Sequence, residues 1–130
     1  MTLYVSDTHA LVWYLGGSPL LSAGARAAFD EGVSGSSQVS IPAIVLAEMI
    51  MLAEKRRSPI DLGSIVSTLR ANPGFRFTSL SPEIALRIQA LTGLPDLHDR
   101  LIVAEALETG ASLITRDQAI TPSRLVKTVW

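Results

Sequence analysis

The chain has 130 residues, 48% of them hydrophobic, with 11 basic and 12 acidic side chains and no cysteine. That length suits one domain, 1–130, with a sizeable core; the balanced charge leaves nucleic-acid binding open, and the lack of cysteine excludes disulfides and thiolate metal sites and fits a reducing compartment. The longest apolar runs, 44–47 and 49–53, fall far short of the roughly 20 residues that span a bilayer, and the first residues lack the basic-then-apolar pattern of a secretory leader, so the expectation is a soluble, cytoplasmic protein with no membrane partner.

Residues 3–6, "LYVS", read as a short strand. An apolar helical stretch, 10–15, follows and is closed by Gly16 and Gly17. Ser22 suits the cap of a helix over 23–31. Residues 32–38, "GVSGSSQ", are the one loose stretch and read as a loop rather than a domain linker. Residues 39–41 make a second strand and 43–57 a long helix. Asp61 can cap a further helix through Arg70. Residues 75–80 follow "NPG" and are strand-like. Ser81-Pro82-Glu83 is a helix start with proline at the first helical position, and that helix should end near Thr92-Gly93. Residues 97–109 form the next helix, stopped by Gly110. Residues 111–115 are a strand, and the last strand lies within 125–130.

Strands alternating with helices argue for an α/β domain with a mostly parallel sheet. Ligands in such sheets bind beyond the carboxyl ends of the strands. Acidic residues therefore matter most at strand ends. Asp7 follows the first strand in "LYVSDTHALVW", and Asp117 follows the strand "ASLIT". Glu48 lies in "IPAIVLAEMIML", about two turns after the second strand, and Asp99 lies in the first turn of the helix 97–109, with Asp96 nearby.

Each acid has a local explanation. Asp7 can cap the helix after it. Asp96 and Asp99 resemble a capping box, and Asp117 can be a turn residue. Glu48 is harder to explain locally, because its apolar neighbours predict a helix buried on most sides, and buried carboxylates are rare unless paired or bound to metal. These local explanations are independent of one another, whereas one site accounts for all four placements. Clustered carboxylates repel, and without a cation one of them takes a proton. Oxygen ligands without cysteine point to Mg²⁺ or Mn²⁺. His9 and His98 lack a familiar zinc spacing and read as orienting or packing residues.

Asp7-Thr8-His9-Ala10-Leu11-Val12-Trp13, then Glu48 in an apolar helix, then Asp96-Leu97-His98-Asp99-Arg100-Leu101-Ile102-Val103-Ala104, then Thr115-Arg116-Asp117, make an ordered set running from Leu3 to Val129-Trp130. That set resembles the PIN-domain ribonucleases, and within them the VapC toxins of bacterial toxin–antitoxin pairs. The resemblance implies a PIN-like three-layer domain, α/β, with a mostly parallel central sheet flanked by helices. It implies that Asp7, Glu48, Asp99 and Asp117 are the acidic quartet holding Mg²⁺ or Mn²⁺ for phosphodiester hydrolysis, with Asp96 as an additional acid. It further implies an RNA substrate, a cognate antitoxin and a homodimer. Two departures stand out: Leu97-His98 where many relatives have Pro-Phe, and Ala47 where a tryptophan is common before the glutamate. Neither touches a ligand position, so they bear on substrate choice.

The mechanism implied is metal-assisted hydrolysis, in which an unligated carboxylate accepts a proton from water. Arg100 and Arg116 each adjoin a site aspartate. Either contacts phosphate, or Arg100 pairs with Asp96 and Arg116 faces solvent. With Asp7, Glu48, Asp96, Asp99 and Asp117 set aside, seven acids face 11 bases, a net of +4, which is compatible with RNA binding. Lys55-Arg56-Arg57 is the densest basic run and suits a helix C-terminus as well as it suits RNA. Leu11, Trp13, Tyr14, Leu15, Met49, Ile50, Met51 and Leu52 offer more apolar surface than a small sheet covers, and the remainder favours a dimer. The competing readings are a non-catalytic PIN-like binding module, an RNA-processing nuclease without an antitoxin, and a phosphoryl-transfer domain with a strand-end aspartate nucleophile. The last lacks a well-placed lysine, since neither Lys55 nor Lys127 follows a strand end suitably.

Overall fold

Short apolar strands that must bury both faces need helices on either side, and the chain supplies them in alternation. The computed structural model describes residues 1–57 and 61–130. Their strands are β1 (Thr2–Ser6), β2 (Ser37–Pro42), β3 (Phe75–Thr78), β4 (Ser112–Ile114) and β5 (Thr128–Val129). They pair in the order β3-β2-β1-β4-β5, and every pairing is parallel. The flanking helices are α1 (Thr8–Leu15), α2 (Ala23–Ser34), α3 (Ala43–Arg56), α4 (Leu62–Arg70), α5 (Pro82–Arg87) and α6 (Leu97–Thr109). This is the α/β architecture that the resemblance implies. Among the described residues no helix is long and apolar enough to cross a membrane.

The strand order places a topological switch at β1. The chain leaves β1 toward β2 and β3, then returns to β4 on the other side. At such a point the two connections diverge and leave a crevice beyond the carboxyl ends of the central strands. The register fixes which residues meet there, because Ser6 pairs with Ile114, so Asp7 and Thr115 are the next residues out. The Asp7 N–H still donates to the Ile114 carbonyl at 3.2 Å. Below this crevice Val5, Val39, Ile41, Leu113 and Ile114 are fully buried.

Five helices start on a polar side chain that accepts a backbone N–H three residues on. Asp7, Ser22, Asp61, Ser81 and Asp96 bind the amides of Ala10, Ala25, Ser64, Ile84 and Asp99. Each such cap satisfies an otherwise unpaired donor and contributes about 1 kcal/mol. Gly110 ends α6 in the left-handed region at φ 69°, as expected of a glycine stop.

Several expectations need correction. Residues 32–38 are not a loop: α2 runs to Ser34, Gly35 caps it at φ 84°, and β2 already begins at Ser37. The polar run tolerates this because Ser37 is buried with its hydroxyl donating to Glu31 Oε2 at 2.8 Å. Helix α1 begins two residues earlier than the apolar pattern, because Asp7 caps it. Helix α5 is short and gives way to a 3-10 turn over Ile88–Ala90 before reaching Thr92-Gly93. The third strand stops at Thr78, the fourth spans Ser112–Ile114, and the last is the pair Thr128–Val129.

The largest correction concerns α3. It is not buried on most sides. Val45 and Met49, one turn apart, are its buried residues, while Ile50 is 43% and Met51 65% exposed. The all-round buried helix is α6, with Leu101 through Ala106 all buried.

Candidate active site

Four carboxylates from four different elements converge on one cavity. Asp7, Thr8, His9, Glu48, Asp96, Asp99 and Asp117 line a space of about 250 Å³ beyond the carboxyl ends of β1 and β4. Each arrives from a different element: Asp7 between β1 and α1, Glu48 from the middle of α3, Asp99 from the first turn of α6, and Asp117 from the segment after β4. The sequence expectation that these four share one end of the sheet agrees with this geometry.

The local and the shared readings turn out to be compatible. Asp7 caps α1, its Oδ1 accepting the Ala10 N–H at 2.7 Å. Thr115 stands beside the Asp7 carboxylate, placed to favour the ionised form. Thr115 is buried, and its Oγ1 accepts the Asp117 N–H at 3.0 Å. That one residue therefore stands between Asp7 and Asp117. Asp117 is a turn residue too, with Oδ1 accepting the Ala119 N–H at 2.7 Å. Asp96 caps α6 through the Asp99 N–H at 3.0 Å. No reciprocal bond from the Asp99 carboxylate completes a capping box among the described residues, so Asp99 faces the cavity rather than the helix start.

Glu48 is placed by two partners. The Thr8 hydroxyl donates to its Oε1 at 2.9 Å, and His98 Nδ1 stands 3.5 Å from its Oε2. Its side chain is 28% exposed, which corrects the argument from a fully buried helix: this carboxylate sits at a cavity wall, not in the core. Thr8 was not singled out in the sequence, although it directly follows Asp7. His9 lies against Trp13, ring centroids 5.5 Å apart.

Neither arginine lines the acidic cavity, and Arg116 faces solvent as one of the alternatives has it. Arg100 Nε donates to the Leu94 carbonyl rather than pairing with Asp96 or reaching into the cavity. Arg116 is exposed, but its guanidinium lies over the Trp13 ring, 4.5 Å from the centroid. Lys55 and Arg56 occupy the last turn of α3, where cations complement the helix dipole.

Electrostatics mark the cavity as short of positive charge. Asp99 is pushed up to about 6, first by burial and then by Asp117, Asp96, Glu48 and Asp7. Burial also raises Asp7, against Thr115, the Ala10 hydrogen bond and the nearby His9, while Asp117 raises it further. Each of these costs falls on the ionised form, so a cation among these oxygens would lower both. The donor set of carboxylates suits a hard divalent ion such as Mg²⁺ or Mn²⁺. Among the described residues no three acidic or histidine side chains are already gathered as a metal-ligand cluster. The carboxylates line the walls of the cavity, as mutually repelling charges do.

Comparison with known proteins agrees with the fold. The family model described as PIN domain matches residues 4–121. A relative from Mycobacterium tuberculosis (strain ATCC 25618 / H37Rv), named Ribonuclease VapC22, is 28% identical over 134 residues, covering 100% of each chain. A solved toxin-antitoxin complex from Klebsiella pneumoniae superposes with a TM-score of 0.65 at 25% identity, covering 97% of this chain and 95% of that one. VapBC2 from Rickettsia felis, bound to a DNA fragment from its promoter, gives 0.74 at 16% identity, covering 98% and 97%; at that identity the likeness speaks for the fold alone.

Proposed function

The chain belongs to the PIN domain family, and we propose on that footing that it is a metal-dependent endoribonuclease, the toxin of a toxin–antitoxin pair. The observation that carries the chemistry is the cavity lined by Asp7, Glu48, Asp99 and Asp117. In this reading those four hold one or more divalent ions, Mg²⁺ or Mn²⁺, with Asp96 at the rim. Such an ion polarises a phosphodiester and acidifies water. The chain's own groups do the rest. Thr115 holds the backbone of Asp117 beside Asp7, and Thr8 with His98 sets the rotamer of Glu48. In this reading a carboxylate of the set that stays off the ion takes the proton of the attacking water.

The toxin assignment is supported by the relative named Ribonuclease VapC22 and by the toxin-antitoxin complex from Klebsiella pneumoniae. On this reading the partners are RNA, a cognate antitoxin and a second copy of the chain, and the protein works in the cytoplasm. The test is cleavage of an RNA pool by purified protein with Mg²⁺ or Mn²⁺ and its arrest by EDTA. Equal cleavage in EDTA would end the metal hypothesis. A small antitoxin gene adjacent to this one is expected; its absence would favour a free-standing RNA-processing nuclease.

A further inference from the structure

Beside the acidic cavity lies a second pocket of about 310 Å³, walled by His9, Trp13, Arg116 and Trp130 and sharing Asp7, His9 and Asp117 with the first. We propose that this pocket holds an unpaired nucleobase of a single-stranded RNA whose phosphate lies in the acidic cavity. The proposal rests on the ribonuclease reading and adds to it a place for the base.

The flat side chains of the pocket argue for a base. The walls are planar: Trp13 and Trp130 meet edge to face at 5.8 Å between centroids, and His9 tilts against Trp13 at 5.5 Å. Arg116 adds a flat guanidinium, held 4.5 Å over Trp13 and 5.8 Å from Trp130. A pinned guanidinium keeps its donors and offers a stacking face of its own. Aromatic and arginine planes beside a backbone track are the means by which proteins hold single-stranded bases.

The neighbouring charges select against the obvious rival. A phosphate in this pocket would face Asp7 and Asp117 with Arg116 as its cationic wall. A base brings no charge, and its ring N–H groups can face those carboxylates. The volume is at the lower end of the range for small-molecule sites, which suits one nucleotide unit rather than a helix or a folded domain.

The pocket is also assembled on purpose from distant parts of the chain. Trp130 reaches it because the backbone after β5 lies directly on α2 at Gly24. A Cβ at Gly24 would stand 2.6 Å from the Trp130 carbonyl oxygen, closer than real Cβ contacts come. Any other residue there would displace Trp130 and open that wall.

Trp13 and Trp130 are the chain's two tryptophans, so its tryptophan emission reports on this pocket. Random-sequence RNA hexanucleotides, added at low salt with Ca²⁺ in place of Mg²⁺ or Mn²⁺ so that the acidic cavity is neutralised, are expected to change the emission of the wild-type protein. An abasic ribose–phosphate hexamer should not. With labelled RNA, Trp130→Ala should weaken binding roughly 5- to 100-fold, the range for loss of one stacking partner, and Trp130→Phe should keep most of it. Equal responses to the abasic strand, or no response to RNA, would overturn the proposal; these arms need only wild type, so a poorly folding variant does not spare it. Cleavage with Mg²⁺ or Mn²⁺ separates the two readings. RNA cleavage with unchanged KM in Trp130→Ala, together with equal abasic binding, removes the base site and leaves the nuclease. Base-dependent binding without any cleavage keeps the base site and removes the nuclease. If Trp130→Ala keeps full RNA affinity but no longer co-purifies with the neighbouring gene product, the pocket takes a protein side chain and the proposal fails.

Discussion

The Asp96 carboxylate accepts the Asp99 backbone N–H at 3.0 Å, and the Asp99 carboxylate turns away toward Asp7, Glu48 and Asp117. Two aspartates three residues apart thus divide the labour: one holds the helix start and the other faces the cavity. Asparagine caps nearly as well as aspartate but carries no charge. Asp99→Asn is therefore expected to fold, to be as stable as the metal-free wild type or slightly more so, and to lose RNA cleavage by roughly two orders of magnitude or more, as the loss of one charged ligand of a catalytic ion would give. Asp96→Asn should retain most activity. Wild-type rates in Asp99→Asn would show that Asp99 only supports the helix.

The raised acids give the metal-free protein an unusual pH profile. Burial and the neighbouring carboxylates push folded Asp99 up to about 6 from the ordinary 3.8, and Asp7 shifts the same way. Between those values the folded state binds more protons than the unfolded one, so stability contributed by these groups falls as pH rises from about 4 to about 6, then levels off. Thermal melts in EDTA across this window should follow that course, and Asp99→Asn should flatten it. Mg²⁺ or Mn²⁺ competes with the proton, so its stabilisation should be large at pH 7.5 and small at pH 5, following mass action on the native state. A metal-induced rise in Tm that is the same at both pH values would argue against these carboxylates as ligands.

Much of this site was legible before the structure. Strand ends are marked by local apolar runs, and a parallel sheet brings the residues after each run to one edge, so Asp7 and Asp117 could be placed from the sequence. Helix starts are marked by caps, and Asp61, Ser81 and Asp96 behave as their spacing suggests. What failed was anything that depends on which face of an element meets which neighbour. Helix α3 has apolar residues all round, and nothing local says that Ile50 and Met51 point to solvent while α6 takes the buried position. Trp13 and Trp130 meet across nearly the whole chain, and no periodicity reports a contact of that separation. The run 32–38 misled because its small polar residues look like a loop, whereas Gly32 is buried where its missing side chain lets α2 approach Val39 and Gly74.

The exposed apolar residues of α3 and of the end of α1 give the proposed dimer a test. Leu11 and Met49 are in the core, and Trp13, Tyr14 and Leu52 are partly buried, which leaves Leu15, Ile50 and Met51 as the exposed remainder of the apolar set. Adjacent exposed apolar side chains of this size favour association. Light scattering at tens of micromolar should give a dimer, and Ile50→Glu with Met51→Glu should shift it toward monomer while leaving the circular dichroism spectrum of the folded chain unchanged. A wild-type monomer, both alone and with the neighbouring gene product, would count against the dimer.

Glu105 tests the fold independently of the site. It is 3% exposed on α6; the Thr78 hydroxyl donates to its Oε1, while Oε2 has no partner among the described residues. Burial raises its pKa, against the Thr78 hydrogen bond and the nearby Arg76. A raised acid is a cost that appears once the pH exceeds the unfolded value and persists above the folded one. Glu105→Gln keeps the shape and the acceptor for Thr78 while removing the charge. It should stabilise the protein at pH 7.5 by removing the buried charge, a gain offset in part by the amide that takes the unpartnered place of Oε2. The gain should vanish toward pH 4, where the native carboxyl is already neutral. Because Glu105 lines a separate crevice with Pro42, Ile44 and Leu101, RNA cleavage should be unchanged. Urea denaturation of both proteins at the two pH values measures this directly. A loss of stability at pH 7.5 would mean that the Glu105 charge is held by a favourable partner, and that burial is not what governs this carboxyl.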